Sequence, residues 1–221
     1  GLAMQAFTTH KGKIAVLDRA NIDTDQIIPK QFLKSIKKTG FEEGLFFDWK
    51  KKPDGSLDPD FPLNRPAFRG ASILVARNNF GCGSSREHAV WAVMQGGFRV
   101  VAAPGLEREG QKIPAFADIF AGNAVKNGLL TVELSADDAD RIFRLAAAAP
   151  ELEGEVNLPS QTFRVSAGGK EMVFHFQIDP GVKDYLLKGL DEIGLTLEKK
   201  EAIGGFEGRR APWLTPSPST R

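Results

Sequence analysis

The chain has 221 residues, 29 Lys and Arg against 28 Asp and Glu, and a formal net charge of +1. Apolar residues make up 42% and charged residues 26%, a globular composition that suits one domain with a short appendage. The charge balance excludes a nucleic-acid binder working through a basic face, and no segment approaches the ~18 apolar residues of a membrane span. The single cysteine, Cys82, excludes an internal disulfide and points to a reducing compartment, read here as the cytoplasm.

In chain order, Gly1-Leu2-Ala3 before Met4 reads as the remnant of an expression tag. Lys13–Leu17 is a short apolar run with the character of a strand, and it leads into DRANIDTDQIIPKQFL, polar at first and then apolar. Asp48–Arg69 carries four prolines and no period, and reads as a long loop. Ala71–Ala76 predicts a buried strand, Gly81–Ser85 a tight polar turn, Arg86–Gln95 a helix stopped by Gly96-Gly97, and Phe98–Ala102 a second buried strand. Strand, turn, helix and strand together predict a right-handed βαβ crossover with parallel strands.

Pro104–Pro114 reads as a polar connection, Ala115–Phe120 as the start of a short helix, and Leu129–Leu134 as a strand. Ser135–Ala149 predicts a helix with Ser135 as N-cap and acids in its first turn. Glu155–Leu158, Thr162–Ser166 and Met172–Ile178 alternate like strands, the last two joined by an Ala-Gly-Gly-Lys hairpin turn. Asp179-Pro180 opens a helix to about Lys188, and Leu195–Ile203 predicts a last helix. Residues 4–208 are expected to form one domain, and 209–221, with three prolines among Ser and Thr, an extended flexible tail. The fold class is α/β with mixed parallel and antiparallel strands.

The most informative segment is Asn78-Asn79-Phe80-Gly81-Cys82-Gly83-Ser84-Ser85-Arg86-Glu87-His88. It sits between a buried strand and a helix, at the strand end that ligands favour in open α/β sheets. Two glycines permit a sharp turn, a helix start offers free N–H groups to an anion, and Arg86 adds a forked cation suited to a carboxylate. The structural alternative is a capping box, because Ser84-Ser85-Arg86-Glu87 has the S-x-x-E spacing. A P-loop and a nucleophile elbow are both absent.

Asp23 and Asp25 fit either a carboxylate pair or an Asx turn after a strand. His88 reads as a helix residue bonded to nearby backbone and able to support Ser84 from behind, and His175 as structural. An iron–sulfur cluster takes about three or four thiolates. With one cysteine and three dispersed histidines (His10, His88, His175), this chain is expected to bind neither a cluster nor another metal by itself.

NFGCGSSREHA and DRANIDTDQIIPKQFLKS resemble the small subunits of 3-isopropylmalate dehydratase, a branch of the aconitase superfamily. The likeness extends to GASILVARNNF, FADIF, VKNGLL and DPGVKDYLLKGLDEIGLTL, and so to residues 5–207. It implies the swivelling β/β/α domain that closes aconitase, and a large partner subunit that carries a [4Fe-4S] cluster. The pair would interconvert 2- and 3-isopropylmalate through isopropylmaleate in leucine biosynthesis. By the same resemblance Ser84 is the base acting on the substrate carbon. Ser85 and Arg86 bind substrate carboxylate, and Thr24 and Asp25 line the cleft. Lys30, Gln31, Phe32 and Leu33 lie where the family selects the substrate's side group, although Phe32 and Leu33 also fit plain hydrophobic packing. Cys82 is a small turn residue.

Two departures stand out: ten residues, Gly105–Pro114, are inserted before the FADIF helix, and Ala115 occupies a place where the family usually has serine. They leave open a related hydratase of maleate, citraconate, citramalate or homoaconitate type, or a non-catalytic anion-binding paralogue.

Overall fold

The computed structural model describes residues 5–34, 37–149 and 151–189. The expected tag remnant, the helix predicted at Leu195–Ile203 and the tail at 209–221 lie outside the described residues. The elements run β1 (Thr9–Val16), α1 (Thr24–Ile27), α2 (Phe47–Lys50), β2 (Ile73–Val75), α3 (Glu87–Gln95), β3 (Val100–Pro104), β4 (Leu106–Arg108), β5 (Gln111–Ile113), α4 (Asp118–Asn127), β6 (Leu130–Leu134), α5 (Ala136–Ala148), β7 (Leu152–Asn157), β8 (Thr162–Ala167), β9 (Lys170–His175) and α6 (Pro180–Lys188).

Seven strands form one sheet in the order β6-β3-β2-β1-β7-β8-β9. Its first four members are parallel, and β7, β8 and β9 continue from β1 as an antiparallel meander. Burial on both faces explains why β2 and β3 are unbroken apolar runs. Their side chains alternate between two cores. Leu74, Val101 and Ala103 face α3 and α4 through Val90, Val93 and Phe120. Ile73, Val75, Val100 and Ala102 face α5 and α6 through Ile142, Phe143 and Leu186.

Helix ends follow local chemistry. Ser135 Oγ accepts from the Asp138 N–H at 3.1 Å, and the Asp179 carboxylate accepts from Gly181 and Val182 N–H at 2.9 and 3.2 Å. Pro180 at the first turn of α6 loses no helical bond. Gly128, at φ 81°, ends α4 in the left-handed region.

Three segments differ from expectation. β1 begins at Thr9, before the apolar run, because Thr9–Gly12 pair with β7 and carry no apolar side chain that a pattern could register. The polar connection after β3 is an antiparallel hairpin, β4–β5, turned by Glu109 and Gly110 at φ 52° and 77°; two positive-φ residues are what a twisted two-residue hairpin requires. The proline-rich stretch is ordered. Pro62 and Pro66 each open a 3-10 turn, and Phe61 and Phe68 enter the core.

Candidate active site

Because β1 and β2 are parallel neighbours, the segments that leave them emerge at one edge and keep pairing beyond the strands. N–H groups of Asn21, Gly81 and Thr24 donate to the carbonyls of Asn78, Ile22 and Cys82 at 2.9, 2.8 and 2.9 Å. On the other side, Asn79 and Phe80 N–H donate to Pro114 and Ala115 carbonyls at 2.7 and 2.9 Å, and Ala117 N–H returns to Phe80 at 3.0 Å. The 79–82 strip is therefore held between two neighbours, one of them the base of the β4–β5 hairpin. Asn21 and Asn79 sit at φ 56° and 60°, and Asn79 Nδ2 donates to Asn21 Oδ1 at 3.0 Å. Sequence reasoning missed this asparagine pair; the available signal was Asn-Asn directly after a buried strand, since asparagine tolerates the left-handed region.

The turn that follows needs both its glycines. Gly81, at φ 82°, lies so close to Phe120 that a side chain would collide with the ring, and Gly83, at φ 87°, packs on Asp23. Four consecutive carbonyls accept bonds from within the fold. Ser85 Oγ donates to Gly81 at 3.3 Å and to Gly83 at 3.5 Å. Thr24 N–H donates to Cys82 at 2.9 Å, and Thr24 Oγ1 donates to Ser84 at 3.0 Å. The donors at the same turn are left over: among the described residues, the backbone N–H groups of Gly83–Arg86 have no hydrogen-bond partner. Ser84 is exposed, and its hydroxyl makes no hydrogen bond with the described residues. Arg86 is exposed and makes no ion pair with them.

The S-x-x-E spacing does not close a capping box. α3 begins at Glu87, and its N-cap is Arg86, extended at φ −135° and ψ 145° with no side-chain cap. Ser84 stands too far upstream to cap. The Glu87 carboxylate instead accepts from Asn127 Nδ2 of α4 at 2.8 Å, while Asn127 Oδ1 accepts from Trp91 Nε1 at 3.1 Å.

Capping occurs in the other segment. Asp23 accepts from the Gln26 N–H at 2.8 Å, and Gln26 Oε1 accepts from the Asp23 N–H at 3.0 Å. Asp23 is thus a structural cap, in line with the turn reading. Asp25 is exposed without a partner among the described residues, and Thr24 is buried.

Lys30 and Gln31 are exposed and Phe32 and Leu33 half-buried in a 3-10 turn directly after α1. Phe32 packs on Phe47 at 5.1 Å between ring centres and against Gly44, so its packing role is plain. Among the described residues, no hydrogen bond joins these four to the Gly81–Arg86 turn.

His88 sits edge-on to Phe41 at 5.4 Å and 4.8 Å from Trp91, so aromatic packing replaces the expected backbone bond. Burial and then the Arg86 charge lower its pKa. His175 is exposed on β9. Cys82 is half-buried, and burial followed by the Asp23 charge pushes its thiol up; a protonated thiol is a poor metal ligand. Among the described residues no three of His, Cys, Asp or Glu gather as a metal site. A cavity of about 390 Å³ lies between the β4–β5 hairpin and the end of β6, lined by Leu106, Lys112 and Glu133 among others, and includes none of Thr24, Asp25, Ser84, Ser85 and Arg86.

Comparison with known proteins gives concordant results. Residues 4–137 match the family model of the aconitase C-terminal domain. Residues 192–217 match the family model of the C-terminal domain of the 3-isopropylmalate dehydratase small subunit. A 3-isopropylmalate dehydratase small subunit from Desulforapulum autotrophicum is 53% identical over 211 residues, which span 96% of this chain and 98% of the relative. The crystal structure of a 3-isopropylmalate dehydratase from Methanocaldococcus jannaschii superposes with a TM-score of 0.57 at 23% identity, over 89% of this chain and 98% of that one. At that identity the likeness speaks for the fold.

Proposed function

The chain belongs to the 3-isopropylmalate dehydratase small-subunit family of the aconitase superfamily and is a subunit of a lyase of leucine biosynthesis; we propose that it works with a large subunit to interconvert 2- and 3-isopropylmalate through isopropylmaleate, with Ser84 as its proton-transfer group. The observation that carries this reading is the division of labour at the Gly81–Arg86 turn. Its carbonyls from Gly81 to Ser84 are bonded inward, while the Ser84 hydroxyl, the Arg86 guanidinium and a run of N–H groups have no partner among the described residues. Such a turn favours anions.

Each group then has a task. Arg86 offers parallel donors to one carboxylate of the diacid. Ser84 Oγ takes the proton from the substrate carbon, and the surrounding N–H groups and Arg86 stabilise the alkoxide this requires. Loss of that proton and of the hydroxyl on the adjacent carbon leaves the alkene and water; re-addition with the opposite regiochemistry gives the isomer. Ser85 lies beside the carboxylate with its hydroxyl turned back onto the loop, and its backbone N–H is among those that stabilise the alkoxide. Asp25 lies at the rim, and Lys30 and Gln31 reach toward the substrate's side group, with Phe32 and Leu33 as their packed support.

The [4Fe-4S] cluster is assigned to the large subunit. One half-buried, protonated thiol does not make a ligand set for a cluster. Among the described residues no helix is long and apolar enough to cross a membrane. The lone cysteine supports a reducing compartment, the cytoplasm, as the place where the chain works.

The test is anaerobic reconstitution with the large subunit, followed by assay against a panel of 2- and 3-hydroxy diacids. Isopropylmalate should give the highest kcat/KM, and the chain alone should be inactive. Preference for citramalate, malate or homoisocitrate would reassign the substrate; turnover by the chain alone would overturn the split enzyme.

A further inference from the structure

Thr24 is 3% exposed, one of two buried polar residues among those described; the other is Asn78, 8% exposed. Both donors of Thr24 are directed at the loop that carries Ser84. Its N–H holds the Cys82 carbonyl at 2.9 Å, and its hydroxyl holds the Ser84 carbonyl at 3.0 Å. Gly83, between them at φ 87°, lies against the same residue: a Cβ there would fall 3.9 Å from Thr24 Oγ1 and 3.3 Å from Asp23 Cβ. Asp23 is the closed cap of α1, so the gripping residue is itself fixed, and its β-branch restricts χ1.

A trans peptide is planar, with its C=O and N–H on opposite sides. A carbonyl held inward therefore turns the next N–H outward. Thr24 holds alternate carbonyls, Cys82 and Ser84, so the N–H groups of Gly83 and Ser85 face away from it. These are two of the N–H groups without a partner among the described residues. Ser84 lies between them with its hydroxyl exposed.

We infer that Thr24 is a positioning residue: by bonding the Ser84 carbonyl, its hydroxyl locks the Ser84–Ser85 peptide plane and aims the Ser85 N–H at the anion that forms beside Ser84. The inference rests on the assignment of Ser84 as the proton-transfer group, and it moves Thr24 from lining the substrate cleft to acting through Ser84.

The test uses the complex reconstituted with the large subunit and three variants, Thr24→Val, Thr24→Ser and Ser84→Ala. Thr24→Val keeps the shape and loses the donor; kcat should fall by about 10²-fold, as for loss of one preorganised donor, with KM within about threefold of the parent. The alkaline rise in activity should move to higher pH, because the alkoxide is less well stabilised. Thr24→Ser keeps the donor and should hold kcat within about threefold of the parent. A merely structural bond would move stability and leave the pH profile alone.

If Ser84→Ala is inactive while Thr24→Val turns over like the parent, the lock is wrong and the role of Ser84 stands. If Ser84→Ala turns over like the parent, the role of Ser84 fails and the lock with it. Should Thr24→Val not assemble, Thr24→Ser decides alone: retained kcat and pH profile support the lock, and a loss as large as that predicted for the valine overturns it.

Discussion

Asp23–Gln26 and Ser84–Glu87 carry the same signature, a small polar residue followed three positions later by Gln or Glu, and they end in different structures. In the first, both reciprocal bonds close and a short helix begins at once. In the second, the chain is extended at Arg86, the helix begins at Glu87, and Glu87 is bonded to Asn127 on the next helix. The difference lies in the preceding backbone. Gly81 and Gly83 take positive φ, which raises Ser84 above the helix start. A polar side chain closed into a cap is committed to stability. One left out of its cap is available to a ligand, and the two segments lie against each other so that the committed one holds the free one.

The comparison is broken most forcefully at Ser84. Ser84→Gly in the reconstituted complex should lower kcat by on the order of 10³-fold or more, with a thermal midpoint near the parent's, since no cap is lost. Turnover near the parent rate would move proton abstraction to another group. Next comes Arg86→Lys, which keeps the charge and loses the fork. Its kcat/KM should fall by about 10²-fold, equivalent to ~3 kcal/mol, with folding nearly unchanged; normal kinetics would make Arg86 a surface residue.

Asp23→Ala attacks the closed cap and should cost about 1 kcal/mol of stability in denaturant titration of the isolated chain. An unchanged midpoint would mean that the box contributes nothing. The smallest effect concerns His88, behind the open segment. Burial and Arg86 lower its pKa in the fold, so below about pH 6.5 the unfolded chain binds more protons than the native one. Stability should be full above that pH and decline as the pH falls through it. Burial also lowers the pKa of His10, so His88→Gln should reduce this slope and leave the His10 part; an identical slope in the variant would assign all of it elsewhere.

How much of this was legible follows from where the signal resides. The parallel core was readable because two-sided burial makes ILV and VVAA unbroken runs, and the helix starts at Ser135 and Asp179 because their caps are local. The hairpin after β3 was not, because its strands are short and their exposed faces carry no alternation; only Glu109-Gly110 marked the turn. At the site, Ser84 and Arg86 were singled out by residue type and glycine spacing, but whether Ser84 caps a helix depends on the φ at Gly83 and on Asn127, forty residues beyond Glu87. The placement of Thr24 beneath Ser84, across a separation of 60 residues, follows from β1 and β2 being parallel neighbours and from nothing in either segment alone.

The most direct test is to measure Ser84→Ala twice in one preparation: its thermal midpoint, and its turnover once reconstituted with the large subunit. The midpoint should be unchanged and turnover undetectable. A midpoint lowered to the extent expected for a lost cap, with turnover retained, would contradict it and return Ser84 to a structural role.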